Sequence, residues 1–168
     1  MLYAGIGSRE VSQDMFRFLS SIGMKMATNE HTLRSGGAIG SDTAFETGHL
    51  QVTKHNIEIF RPDDISVVKY LEIANSNKMS LLYNACFEYP FDAMKYWTQQ
   101  LLMRNLLTII GHNLSTYVDG VICYTRDGQE IGGTRYAIRI AKQLNIPVLN
   151  VGNRSMYTKV AKWLKMVT

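Results

Sequence analysis

The segment between Leu33 and Gly48 constrains the fold of this chain more than any other part of the sequence. An apolar run ends at Leu33, a loop of small residues with three glycines follows, and a helical pattern begins near Asp42. A loop of this kind leaves backbone N–H groups uncovered at the positive end of a helix. The segment therefore predicts a tight strand-to-helix connection that can hold a phosphate or another anion.

Strand and helix patterns alternate along the whole chain. The helices are predicted over residues 11–27, 42–53, 92–110 and 134–144, and one more is predicted near the end of the chain. The strands are predicted over residues 2–4, 31–34, 57–60, 120–124 and 146–151. Because strands that are joined by helices pair in parallel, the sequence predicts a Rossmann-like α/β fold with helices on both faces of a parallel sheet.

Length and composition predict one domain over residues 1–168. A chain of 168 residues, 46% of them hydrophobic, is large enough for one sizeable core. The periodic pattern weakens over residues 63–91, which indicates an insertion of loop and short helix. The formal charge of +4 is compatible with nucleotides and with nucleic acid.

The sequence favours a cytoplasmic location. The first five residues already have a strand pattern, which leaves no room for a secretion signal, and no apolar window has the length of a membrane span. Cys86 and Cys123 have neither the spacing of a zinc site nor that of a disulfide framework, and the histidines have no ligand spacing. We therefore expect no metal ion, no cofactor and no membrane partner.

Three glycine-containing loops follow strands of the predicted sheet, at the edge where parallel sheets bind their ligands. They span residues 5–10, 35–42 and 125–133, and their spacing matches neither the dinucleotide fingerprint nor the P-loop. Arg104 lies inside an apolar helix, and its guanidinium suits contact with a phosphate. The expected ligand-binding residues are Gly7, Ser8, Arg9, Ser35, Gly36, Gly37, Asp42, Asn105, Gly132, Gly133 and Thr134.

The same loops carry a family resemblance. Residues 3–10, 33–38, 104–105 and 132–134, in this order, resemble the DNA-processing protein A-like family of phages and bacteria. That family belongs to a superfamily that includes the Lonely Guy phosphoribohydrolases. The resemblance implies a Rossmann-like domain that binds a nucleotide or a nucleotide-derived ligand, and it implies a homodimer.

In the phosphoribohydrolase branch, a helix arginine and a glutamate support cleavage of the N-glycosidic bond of a nucleoside 5′-monophosphate. Arg104 matches the arginine, whereas Ala137 occupies the position of the glutamate. Such cleavage needs a carboxylate that stabilises positive charge or activates water, and Glu46 and Glu10 are the candidates beside Arg104. Structural roles are the alternatives, because Asp42 can cap its helix and Glu46 can form a salt bridge.

Three functions remain open at this point. Hydrolysis of a nucleoside 5′-monophosphate by a nucleotide-binding domain is the leading hypothesis. A non-catalytic sensor or sequestering protein for a signalling nucleotide is the second, favoured by Ala137. The third, implied by the DNA-processing relatives, is a recombination mediator that binds single-stranded DNA. Nine tyrosines and two tryptophans are available to stack bases, but the Lys and Arg residues are dispersed.

Overall fold

The computed structural model describes residues 1–166, and Val167 and Thr168 of the predicted domain lie outside the described residues. The strands are β1 (Leu2–Gly7), β2 (Thr32–Ser35), β3 (Ile57–Ile59), β4 (Gly120–Tyr124) and β5 (Val148–Asn150). The helices are α1 (Gln13–Thr28), α2 (Ser41–Leu50), α3 (Val67–Ala74), α4 (Met79–Ala85), α5 (Tyr96–Ile110), α6 (Thr134–Gln143) and α7 (Arg154–Trp163). Short 3-10 turns occupy Pro62–Asp64, Phe91–Ala93 and Arg126–Gly128.

The strands form one parallel sheet in the order β3-β2-β1-β4-β5 within the described residues. β1 lies at the centre, where Tyr3 is paired with Leu33 of β2 on one side and with Gly120 of β4 on the other. Strands β2 and β3 lie on one side of β1, and strands β4 and β5, which come later in the chain, lie on the other side. The predicted Rossmann-like α/β fold is confirmed, and the switch of direction lies between β1 and β4.

Each face of the sheet carries its own hydrophobic cluster. Successive side chains of a strand point to opposite faces, so β1 contributes Ile6 to one cluster and Tyr3 to the other. Ile6 packs with the buried residues of α5 and α6, whereas Tyr3 packs with Phe18 of α1 and Phe45 of α2. The helices thus hold β1 from both sides, and they fix the loops that leave its carboxyl end.

Residues 63–91, where the sequence pattern weakens, contain the two short helices α3 and α4. Their apolar side chains Ile73 and Leu82, together with Phe91 of the following turn, have no exposed surface and pack in the cluster of α5 and α6. The segment therefore lies against the same helices that approach the carboxyl edge of the sheet. The division into one domain with an insertion stays a prediction.

Three helix starts differ from the sequence prediction, and the first helix begins at Gln13 rather than at residue 11. The fifth helix begins at Tyr96 rather than at residue 92, because Phe91–Ala93 forms a 3-10 turn and Lys95 is extended. The second helix begins at Ser41 with Gly40 as its N-cap, so the interpretation of Asp42 as the cap is wrong. Among residues 1–166 there is no helix with the length and apolar character that a membrane span requires.

Candidate functional site

A pocket of about 450 Å³ opens where the chain leaves the carboxyl ends of β1 and β4. This is the switch point of the sheet, the position at which open parallel sheets form a crevice for ligands. The loop after β1, the N-terminal end of α6 and one face of α5 enclose it. Its lining consists of Ile6, Gly7, Ser8, Arg9, Glu10, Ala38, Asp42, Thr98, Leu101, Leu102, Arg104, Asn105, Thr125, Arg126, Ile131, Gly132, Gly133, Thr134 and Tyr136.

Most of the residues predicted from the sequence come together in this pocket. All three predicted glycine loops contribute, the second through Ala38 and Asp42, and so do Arg104 and Asn105 from α5. The lining includes the predicted residues Gly7, Ser8, Arg9, Glu10, Asp42, Arg104, Asn105, Gly132, Gly133 and Thr134. Four others, Ser35, Gly36, Gly37 and Glu46, lie outside it.

Asp42 ties the loops together. Its Oδ1 accepts a hydrogen bond from the Gly7 backbone N–H at 3.0 Å, and its Oδ2 accepts one from the Gly36 N–H at 3.0 Å. The Arg104 Nη1 lies 3.8 Å from Oδ2 and donates a hydrogen bond to the Gly36 carbonyl oxygen. Burial raises the pKa of Asp42 to about 6, although the positive charge of Arg104 opposes this shift. The carboxylate is therefore a structural link between β1, β2 and α5.

The second glycine loop uses its Gly36 and Gly37 N–H groups in hydrogen bonds within the protein. The Gly36 N–H is engaged by Asp42, and the Gly37 N–H donates to the Ser35 Oγ at 3.3 Å. The Ser35 hydroxyl in turn donates to Glu46 Oε1 at 2.5 Å, and burial raises the pKa of Glu46. These contacts explain why Ser35, Gly36 and Gly37 lie outside the pocket, although Ala38 and Asp42 of the same loop line it: the N–H groups of Gly36 and Gly37 have partners within the protein.

The third glycine loop is open. A Cβ added at Gly132 or Gly133 would meet no atom within 4 Å. The N-terminus of α6 has no side-chain cap among the described residues and no acidic residue in its first turn. Asn105 of α5 donates to the Gly133 carbonyl oxygen at 3.2 Å, which orients the loop. The positive end of α6 therefore opens on the pocket without a carboxylate to neutralise it.

Three guanidinium groups also line the pocket. Arg104 is buried, and its Nε has no hydrogen-bond partner within residues 1–166. Burial is the main reason why the pKa of Arg104 is lowered, and the nearby charge of Arg9 lowers it further, against the effect of Asp42. Arg9 and Arg126 are exposed in the lining. Asp42 is engaged by Arg104 and backbone amides, and the Nε of Arg126 lies 4.0 Å from the exposed carboxylate of Asp127. Glu10 is the carboxylate of the lining beside Arg9, and the positive end of α6 adds to the charge of Arg9, so the pocket favours anions.

Apolar side chains complete the lining, and the sequence prediction did not include them. They are Ile6, Leu101, Leu102, Ile131 and Tyr136. A signal was present for Leu101, because it precedes Arg104 by three residues and therefore shares a helix face with it. The arrangement can hold a phosphate beside an apolar group. No cluster of three His, Cys, Asp or Glu side chains suited to a metal ion occurs in residues 1–166.

Comparison with known proteins gives a structural similarity. No protein-family model and no curated protein sequence matches this chain. A solved structure of DNA processing protein A from Helicobacter pylori has a TM-score of 0.58 and 20% sequence identity, over 100% of this chain and 82% of that chain. That structure is described as giving insight into a unique single-stranded DNA binding mode of the H. pylori protein. The present chain therefore shares the Rossmann-like fold of DNA processing protein A.

Proposed function

We propose that this chain binds single-stranded DNA and that the pocket between the ends of β1 and β4 holds one nucleotide of the strand. The observation that carries the proposal is the convergence of the exposed Arg9 and the N-terminus of α6 on one pocket, beside the buried Arg104–Asp42 pair. Guanidinium groups and helix N-termini are the groups that proteins use to hold phosphate. The fold shared with a protein described as binding single-stranded DNA supports the same conclusion.

The shape of the pocket favours a single strand over a duplex. Its volume of about 450 Å³ is in the range of pockets that take one small organic group. Leu101 and Ile131 supply apolar surface beside the cationic groups, so the base of a bound nucleotide can lie against them. A paired base inside a duplex does not offer its faces to a pocket, whereas an unpaired base does.

Salt-dependent binding tests this proposal. The anisotropy of a fluorescently labelled thymidine oligonucleotide should report binding that weakens steeply as salt rises, by about 0.7 in the slope of log K against log salt per phosphate contacted. Arg9→Ala should weaken binding and make the slope shallower by about one contact. The matched control is Arg17→Ala, because Arg17 is an exposed arginine of α1 that lies outside the pocket and pairs with Asp14.

The proposal is overturned by a flat salt response, or by equal effects of Arg9→Ala and Arg17→Ala. A duplex of the same length should bind more weakly than the single strand. Equal affinity for the duplex would assign the basic groups to unspecific backbone contact rather than to a pocket for one nucleotide.

A free nucleoside 5′-monophosphate is the second candidate ligand, because the lining includes one exposed carboxylate, Glu10, next to Arg9. Glu46 is not placed to act on a ligand in this pocket, since its carboxylate accepts from Ser35 outside the lining. Ala137 is buried and has no carboxylate. We therefore expect binding without release of the base.

Incubation with a panel of nucleoside monophosphates, followed by mass spectrometry, tests this second candidate. Recovery of unchanged nucleotide agrees with binding alone, as in a sensor or sequestering protein. Release of a free base that Glu10→Gln abolishes and Glu46→Gln preserves would establish hydrolysis at this pocket. Release that depends on Glu46 would instead place the chemistry at the second glycine loop.

A further inference from the structure

We infer that Trp97 is a base-stacking residue at the mouth of the pocket, an inference that rests on the proposed binding of single-stranded DNA. Trp97 is the second residue of α5, and 52% of its surface is exposed. Leu101 and Asn105 follow at successive spacings of four, and both line the pocket. Since residues four apart lie above one another on a helix, Trp97 stands one turn beyond Leu101 on the pocket-lining face.

The surroundings of Trp97 fit a nucleic-acid contact. One helical turn corresponds to about 5.4 Å along the axis, so the indole lies within reach of a nucleotide that adjoins the one in the pocket. The next residue, Thr98, itself belongs to the lining. Lys95 is the N-cap of α5 and is exposed, so a cation for a backbone phosphate is available at the same end of the helix. An exposed aromatic ring next to a cationic groove is the arrangement that stacks bases of a single strand.

Trp97 belongs to neither hydrophobic cluster of the described residues. No aromatic or cationic side chain among residues 1–166 stacks on its ring. Two further apolar side chains, Ile39 and Ile131, are 72% and 48% exposed, and both belong to the loops around the pocket. The indole thus extends the apolar wall of the pocket outward. Every base has a π-face, so this contact would bind a strand with little preference for its sequence.

The chain offers a matched reporter for this contact. Its second tryptophan, Trp163, lies on α7 beside Gly120 and Pro147 at the amino-terminal end of the sheet, away from the pocket. The Trp163→Phe variant therefore reports from Trp97, and the Trp97→Phe variant reports from Trp163. On titration with an unlabelled thymidine oligonucleotide, the fluorescence of the Trp163→Phe variant should be quenched, and that of the Trp97→Phe variant should not.

The anisotropy of a labelled oligonucleotide measures binding independently of tryptophan fluorescence. Trp97→Ala should weaken binding by roughly 5- to 150-fold, while Trp97→Phe should retain most of the affinity. A strand of the same length with abasic sites should bind the wild-type protein more weakly. The abasic strand should lose less affinity for the Trp97→Ala variant, because the stacking contact is already absent there.

The outcomes separate the two proposals. If the strand binds with the salt dependence of a phosphate contact but Trp97 is not quenched and Trp97→Ala has no effect, the inference is overturned and the proposed function stands. If the wild-type protein binds no strand, the proposed function itself fails. Equal losses for the normal and the abasic strand in Trp97→Ala would also overturn the inference, because they would assign Trp97 a structural role.

Discussion

Two loops of this protein contain a Gly-Gly pair before a helix, and they differ in their hydrogen bonds. The loop at residues 35–37 precedes α2, and the loop at residues 132–133 precedes α6. In the first, Asp42 and Ser35 accept hydrogen bonds from the backbone N–H groups of Gly36 and Gly37. Neither α2 nor α6 has a side-chain cap among the described residues, but the first turn of α2 carries Asp42 and the first turn of α6 carries no acidic residue. The loop at residues 35–37 has a structural role, and the loop at residues 132–133 is the part of the site that is available to an anion.

The difference teaches that glycines before a helix do not by themselves make an anion site. What decides is whether the protein supplies its own anion. Asp42, in the first turn of α2, accepts hydrogen bonds from the Gly7 and Gly36 N–H groups, and Arg104 neutralises its carboxylate. The first turn of α6 carries no acid. A carboxylate in the first turn of the helix therefore predicts a closed loop, and its absence predicts an open one.

Removal of the Asp42 carboxylate should have the largest effect on the stability of the protein. Asp42→Ala leaves the N–H groups of Gly7 and Gly36 without their partner and leaves the buried Arg104 without its counter-charge. We expect a loss of about 3–5 kcal/mol in the free energy of unfolding, because an unpaired buried charge is costly. Urea denaturation measures it. The control is Asp14→Ala, whose carboxylate is 95% exposed in its pair with Arg17 and whose loss should cost less than about 1 kcal/mol. Similar losses for both variants would contradict the role assigned to Asp42.

The protonation of Asp42 gives the next largest effect. Burial raises its pKa from 3.8 to about 6, so between these pH values the folded protein binds more protons than the unfolded chain. The contribution of Asp42 to stability therefore falls as pH rises from about 4 to 6, by up to about 3 kcal/mol. Asp42→Asn does not titrate at this position. The stability of the wild type relative to Asp42→Asn should decrease across that range when both are unfolded with urea at several pH values, and parallel pH profiles would refute the expectation.

Adding one methyl group to each loop should give the smallest effect, with different outcomes in the two loops. In Gly36→Ala the new Cβ would lie 2.7 Å from Asp42 Oδ2 and would clash with the Arg104 guanidinium. We expect a loss of roughly 1–3 kcal/mol in unfolding free energy. In Gly133→Ala the new Cβ meets no atom, and φ is −66°, so stability should change by less than about 1 kcal/mol. Binding of the labelled oligonucleotide should weaken in Gly133→Ala. Unchanged binding of Gly133→Ala, or an unchanged unfolding free energy of Gly36→Ala, would contradict the difference assigned to the two loops.

Much of the fold could be predicted because it depends on local patterns. The bounds of β4, Gly120–Tyr124, agree with the prediction, since a continuous apolar run between polar residues identifies a strand buried on both faces. The pattern gave less information over residues 63–91. There Ile73 and Leu82 lie on helices of seven or eight residues, too short for a clear helical period. Their burial depends on contacts with α5, which no local pattern reveals.

The site was predictable at the level of loops and not at the level of hydrogen bonds. The position of parallel-strand ends indicated which loops meet, and Arg9, Arg104 and Gly133 do share a pocket. The partner of each backbone N–H was not predictable. Asp42 bridges Gly7 and Gly36 instead of capping its helix, because the folded chain brings the end of β1 close to α2. The assignment of Glu46 to the site depended on the same loop, and its contact with Ser35 is likewise tertiary.

The central position of β1 also has a consequence for the order of folding. β1 pairs with β2 after about 30 residues of chain, but its pairing of Tyr3 with Gly120 requires most of the sequence. Contacts between distant segments form late because they require closure of a long loop. During synthesis, the half that contains β1, β2 and β3 can assemble first, and one edge of β1 stays unpaired until β4 emerges. The pocket lies across the seam between β1 and β4 and is also lined by the N-terminus of α6, so it cannot form before β4 and α6 have been synthesised.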